Sequence, residues 1–168
     1  MMKGGNFMND SNLFNQLKTV LNNMSNEDLY SFTQNLIDFV RQNESKLEEV
    51  SEKRFVDFIK NMNLEEYYIG KTGDNFKVIS MGYFNKEFKT ADDVWRIVSS
   101  LIWDLISFES EVICPRCSSD NLRIFVNTAS SETIFSCETC FYSQINGKEI
   151  KRPETLVPAS KIQIETQK

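Results

Sequence analysis

Histidine is absent from this chain of 168 residues. That removes the commonest general acid–base at neutral pH and the commonest metal-ligating side chain. No apolar run is long enough to span a bilayer. The most apolar stretch, residues 94–108, is interrupted by Arg96 and Asp104, whereas a membrane helix needs roughly 20 predominantly apolar residues. A basic face is missing too, since 19 Lys/Arg stand against 24 Asp/Glu for a net charge of −5. Residues 1–113 carry 12 and 18 of these, residues 114–150 carry 3 and 4, and residues 151–168 carry 4 and 2. Binding to a phosphate backbone needs Lys and Arg gathered on one face. Strong non-specific binding of DNA or RNA is therefore disfavoured, and a basic protein surface is the better-matched partner. The opening residues MMKGGNFMNDS lack the apolar core of a secretory signal, so the expected setting is soluble, reducing and cytoplasmic.

Hydrophobic residues make up 40% and charged residues 26% of the chain, which suffices for a packed core. A first helix is expected over Asn12 to Asn23, with Leu13, Leu17, Val20 and Leu21 recurring at helical spacing. Ser25, with Asp28 three residues on, reads as the start of a second helix whose inner face is Leu29, Phe32, Leu36, Phe39 and Val40. A third helix is expected after Asn43, placing Leu47, Val50, Phe55, Phe58, Ile59 and Met62 inward. Tyr67-Tyr68-Ile69 and Phe76-Lys77-Val78-Ile79 flank a Gly- and Asp-containing segment and read as a β-hairpin. Thr90 with Asp93 caps a further helix, apolar over more than half its circumference, that should form the central core. From Lys151 an extended tail with one edge strand at Ile162-Gln163-Ile164 is expected.

The only cysteines form two tight pairs, Cys114-Pro115-Arg116-Cys117 and Cys137-Glu138-Thr139-Cys140, a C-x2-C-x19-C-x2-C spacing. A two-residue gap lets one tight turn present two sulfurs to a single metal, and four thiolates make a closed tetrahedral zinc site. A redox dithiol would sit at a helix N-terminus in a βαβ context, which Cys114 lacks, and it would leave the second pair unexplained. Leu122–Val126, Thr133–Phe135 and Phe141–Ile145 read as three antiparallel strands, with a tip at Thr128–Ser131 and a turn at Asn146-Gly147.

Residues 112–150 thus resemble a zinc ribbon, the four-cysteine, three-stranded module of transcription factors, ribosomal proteins and many small bacterial proteins. The resemblance implies one structural Zn²⁺ held by Cys114, Cys117, Cys137 and Cys140. Family members commonly carry Gly after the second Cys of each knuckle, where this chain has Ser118 and Phe141. Some transcription-elongation ribbons carry an acidic pair at the tip, and Ala129-Ser130-Ser131-Glu132 lacks it.

The expected architecture is α+β: a helical N-terminal body with one β-hairpin over residues 1–111, a three-stranded antiparallel zinc ribbon over 112–150, and an extended tail over 151–168. No catalytic residue is assigned. Four cysteines leave catalytic zinc no open position, and the histidine half of a zinc-deaminase motif is missing. Gly70-Lys71-Thr72 lacks the upstream Gly of a P-loop, with Glu65 in its place. The doublets Glu48-Glu49, Glu65-Glu66 and Asp92-Asp93 fit solvated helix faces and starts. Trp95 and Trp103 read as core, and Tyr67, Tyr68, Tyr83 and Phe84 as a candidate aromatic surface. Arg116 and Arg123 read as offsets to the thiolate charge. The functional expectation is a non-catalytic protein that binds a protein partner, such as an inhibitor or immunity protein neutralising a basic toxin or nuclease. The alternative is a nucleic-acid-associated regulator of the transcription type, using Arg116, Arg123 and Lys148.

Overall fold

The computed structural model describes residues 10–24 and 28–167. The architecture is α+β: among the described residues there are seven α-helices and one open antiparallel sheet of six strands. The chain divides into two compact units. A helical unit comprises Met1–Met62 and Asn75–Ile102, and a sheet unit comprises Asn63–Asp74 and Trp103–Lys168.

In the helical unit, α1 (Asp10–Asn23) buries Leu13, Leu17 and Leu21 at the expected helical spacing. Helix α2 (Leu29–Gln42) starts later than expected, because Asp28 itself is the N-cap. Its carboxylate accepts the Ser31 N–H at 2.9 Å, and a negative charge there also suits the helix dipole. Ser25, the expected start, lies outside the described residues. The single third helix is in fact two, α3 (Glu44–Glu48) and α4 (Lys53–Lys60). On one unbroken helix Leu47 and Val56, nine residues apart, would face opposite sides. The break lets both become fully buried.

The expected hairpin does not form. Asn75 accepts the Val78 N–H at 3.2 Å and caps α5 (Phe76–Phe84), so the β-branched run on its far side is helical. The near side goes elsewhere, since Gly70 N–H donates to Leu105 C=O at 2.7 Å and Glu109 N–H to Lys71 C=O at 3.0 Å. Gly70 lies at φ +67, a left-handed position that glycine reaches without strain. The two intended arms therefore fall in different units. Helix α6 (Ala91–Ile106) begins with the expected reciprocal cap: Thr90 Oγ1 accepts the Asp93 N–H and Asp93 accepts the Thr90 N–H. Val94, Val98, Leu101, Ile102, Leu105 and Ile106 are buried along it.

In the sheet unit, β1 (Phe108–Ile113), β2 (Asn121–Asn127), β3 (Thr133–Ser136), β4 (Ser143–Ile145) and β5 (Lys148–Ile150) pair in sequence order. The three strands expected of a ribbon are β2, β3 and β4, here embedded in a larger sheet. Strand β1 pairs with the first half of β2 at Phe108–Ile124 and Glu109–Arg123, and is irregular from there to Ile113. Strand β6 (Leu156–Pro158) takes the same β2 edge further on, opposite Phe125 to Asn127. Asn146 and Gly147 both have positive φ, 50 and 76, as the tight β4–β5 hairpin requires. Beneath β2, Ile124 and Val126 pack with Ala159 and Ile164, while Phe125 packs with Ile134 and Leu156.

The edge strand of the tail is Leu156–Pro158 and not Ile162–Ile164. Residues Lys161–Glu165 form helix α7, capped by Ser160 and Gln163. That capping box outweighs the short alternating pattern, leaving Ile164 1% and Ile162 74% exposed. No helix among the described residues is long and apolar enough to cross a membrane.

Candidate metal centre

The two cysteine pairs come from equivalent turns. Cys114–Cys117 lies between β1 and β2, and Cys137–Cys140 lies between β3 and β4. Antiparallel pairing of β2 with β3 carries the chain from the first turn to the second. The turns are built alike. Ser118 N–H closes back on Cys114 C=O at 2.9 Å, and Phe141 N–H on Cys137 C=O at 3.1 Å. The same two residues, Ser118 and Phe141, have φ of 53 and 59. The left-handed position that a zinc ribbon commonly gives to Gly is thus adopted here by two non-glycine residues.

This geometry gathers the four sulfurs. Cys114 Sγ lies 3.5 Å from Cys140 Sγ, and Cys117 Sγ lies 3.7 Å from Cys137 Sγ. All four Sγ atoms are within 4.8 Å of one another, so one metal ion can reach every sulfur. Cys114 and Cys137 are fully buried and pack with Leu122 and Tyr142. Backbone N–H groups point at the sulfurs. Ser119 N–H bonds Cys117 and holds its thiol well below the ordinary range, at about 6. Burial pushes the Cys137 thiol up to about 12, against N–H bonds from Thr139 and Cys140. Tyr142 N–H likewise bonds Cys140 and lowers its thiol, but burial and the neighbouring Cys114 and Cys117 sulfurs outweigh it and leave that thiol above its ordinary value. Such bonds orient and polarise a ligand from behind.

Around the sulfurs the two turns are tied together. Cys114 N–H donates to Asp120 C=O at 2.8 Å, and the Thr139 hydroxyl donates to the Asp120 carboxylate. Arg116 pairs with Glu149 and lies 5.4 Å from the Tyr142 ring. Arg152, which sequence reasoning did not single out, donates to Cys137 C=O at 3.2 Å, Ser136 Oγ at 2.9 Å and Glu138 at 2.6 Å. It lies 15 residues beyond the cysteine it serves, and nothing in its local sequence marks it. Arg123 has a different job from the one expected. Its guanidinium, 12% exposed, pairs with Asp104 and with Asp74 at 3.1 Å. Burial raises the Asp104 carboxyl above its ordinary range, with Arg123 opposing that shift. Arg123 is thus engaged by two carboxylates.

The remaining candidates separate. Trp95 is buried, and Trp103 stacks on Phe125 with centroids 5.7 Å apart. Tyr67 and Tyr68 belong to the sheet unit, Tyr83 and Phe84 to the helical unit. Tyr68 donates to Glu165 at 2.8 Å and its ring meets Phe108. Thr72 of the Gly-Lys-Thr sequence donates to Asp74, forming an ordinary turn. Glu44, Glu48 and Asp57 form a second group of close carboxylates, but Lys60 pairs with Glu44 and Asp57, and Lys53 with Glu48. Asp92 pairs with Arg96. Comparison of the chain with protein-family models, curated proteins and solved structures finds no match.

Proposed function

We propose that Cys114, Cys117, Cys137 and Cys140 hold one structural Zn²⁺ in a zinc-ribbon-like end of the sheet, and that the protein is non-catalytic and acts by binding a protein partner. The observation that carries the metal reading is the convergence of four sulfurs within 4.8 Å. With Zn–S bonds of about 2.3 Å, a tetrahedral site separates its sulfurs by about 3.8 Å, close to the 3.5 and 3.7 Å of the nearest pairs. Four thiolates complete the coordination, so no position is left for a substrate or an activated water. The ion would staple the two turns and supply folding free energy there.

The partner class follows from charge. The sheet unit contains eight Lys/Arg and twelve Asp/Glu, a net of −4, whereas the helical unit has eleven and twelve. Four thiolates around one Zn²⁺ add about −2 to the sheet unit. An acidic surface of this kind suits a basic protein, such as a toxin or nuclease neutralised by an immunity-type inhibitor.

Metal analysis of the purified chain should give one zinc per molecule, and Co²⁺ exchange should produce the absorption of a tetrahedral tetrathiolate site. Full metal retention by Cys137→Ser would reject the ligand set. For the partner, capture from host lysate should yield a stoichiometric basic protein that survives nuclease treatment and is released by salt. Capture that vanishes with nuclease would replace this reading with the nucleic-acid one.

A further inference from the structure

Helix α5 is apolar at six of its nine positions: Phe76, Val78, Ile79, Met81, Tyr83 and Phe84. Of these only Phe76 is buried, while Val78 is 63%, Met81 57% and Phe84 36% exposed. A helix normally turns its apolar stripe inward, and clustered exposed apolar side chains mark interaction surfaces. Helix α5 packs on α1. A groove of about 290 Å³ lies there, with Leu21 and Met24 contributing from the α1 side and Lys77, Met81 and Phe84 from α5. Two of the apolar groups are methionines, whose unbranched thioethers adapt to whatever is inserted.

Charge selects the occupant. Among the described residues the groove lining contains Lys77 and no carboxylate. Residues 75–90 carry Lys77, Lys86 and Lys89 against Glu87 alone, a local net of +2 in a chain of −5. A second copy is a poor fit, because a two-fold interface sets the same patch against itself and would bring Lys77 towards Lys77. We propose that the groove between α1 and α5 docks an acidic amphipathic helix of a partner protein. Apolar anchors at i and i+4 fill the groove and flanking carboxylates meet Lys77. The groove residues belong to the helical unit and the four cysteines to the sheet unit, so the proposal stands or falls without the metal reading.

The test uses the full-length metal-loaded chain, ¹⁵N-labelled, and two helical peptides of about 15 residues, long enough to hold helix. One carries a leucine stripe with glutamates on its other faces, and the second replaces each Glu by Lys. The Glu peptide should give saturable shifts at Leu21, Met24, Lys77, Met81 and Phe84. Met81→Glu should weaken it about tenfold by placing an unpaired charge in the contact. Lys77→Glu, a surface change that leaves the core alone, should weaken it about threefold. Added salt should weaken it as well. Equal or tighter binding of the Lys peptide, shifts that map elsewhere, or no saturable binding would each overturn the proposal. So would self-association, seen by sedimentation, that closes the groove.

Discussion

The two units hold themselves together by different means. In the helical unit, Leu13, Leu17, Phe32, Leu36, Ile37, Val40, Leu47 and Val56 are all fully buried, and such a set stabilises through apolar burial alone. At the four-cysteine end of the sheet unit the buried cluster is Cys114, Leu122, Cys137 and Tyr142. Two of its four members are candidate ligands, Cys114 and Cys137. A core that small, with Phe135 packed against it, contributes little against the entropy of ordering the turns around it, and the proposed metal cross-link would add to it. If the proposed ion is bound, the contrast ties the stability of one region to that ion and of the other to packing.

The largest expected effect is therefore selective. Chelation, or Cys137→Ser, should unfold the turn regions around Cys114 and Cys137, since structural zinc contributes apparent free energies of about 10–16 kcal/mol in small zinc domains. Amide exchange should accelerate at Leu122, Phe135 and Tyr142 while α1, α2 and α6 keep their protection. Uniform loss of both units would break the comparison. The converse experiment is Leu36→Ala, which should cost about 2–5 kcal/mol in the helical unit while zinc stoichiometry stays at one.

Local signals were legible in the sequence and non-local ones were not. Leu13, Leu17 and Leu21 declared their helix by period, Thr90 and Asp93 by reciprocal capping, and Asn146-Gly147 by the positive φ both residues need. The four cysteines announced their convergence by spacing. Phe76-Lys77-Val78-Ile79 misled because its residue types favour strands, whereas the deciding group was the Asn75 cap one residue upstream. A strand preference is a preference for a half-buried pleated surface, and the chain offered that segment a helix to pack on instead. The break between α3 and α4 was hidden for a related reason. Only the need to bury both Leu47 and Val56 reveals it. Arg152 was invisible because its partners, Ser136, Cys137 and Glu138, are brought to it by the sheet.

A smaller effect sharpens the comparison inside the sheet unit. Arg123 neutralises Asp104 and Asp74 beside β2, and its removal leaves two half-buried carboxylates facing each other. Arg123→Met should cost about 2–3 kcal/mol, at or below the usual range for a broken buried pair, because Asp104 and Asp74 keep 34% and 32% of their side-chain exposure. The pH dependence has a definite sign. Burial holds the Asp104 carboxyl above its ordinary range, so the native state takes up that proton more readily than the unfolded chain. The stabilisation from this proton is fully present below the ordinary aspartate value and is lost as pH rises through the raised folded-state value above it. Without the guanidinium the shift grows. The deficit of the variant, measured by urea unfolding across pH, should be largest at neutrality and shrink on acidification. A deficit independent of pH would mean that Arg123 acts through packing of its stem.

The smallest effect concerns the left-handed residues of the turns. Phe141 sits at φ 59 with 61% of its surface exposed, so its ring gains little burial for a conformation that costs an L-residue roughly 1–2 kcal/mol. Glycine relieves that strain but loses about 0.5–1 kcal/mol more chain entropy on folding. It also gives up the contact in which Arg152 lies 5.2 Å from the ring, worth about 0.5 kcal/mol at an exposed site. Phe141→Gly should therefore lie between about 0.5 kcal/mol less stable and about 1 kcal/mol more stable than the parent. Phe141→Ala keeps the strain and loses the ring, and should be the less stable of the two. Denaturation of the zinc-loaded variants would rank them. If alanine matched or exceeded glycine, backbone strain would not govern this position, and the exposed ring would have to be explained by the company it keeps.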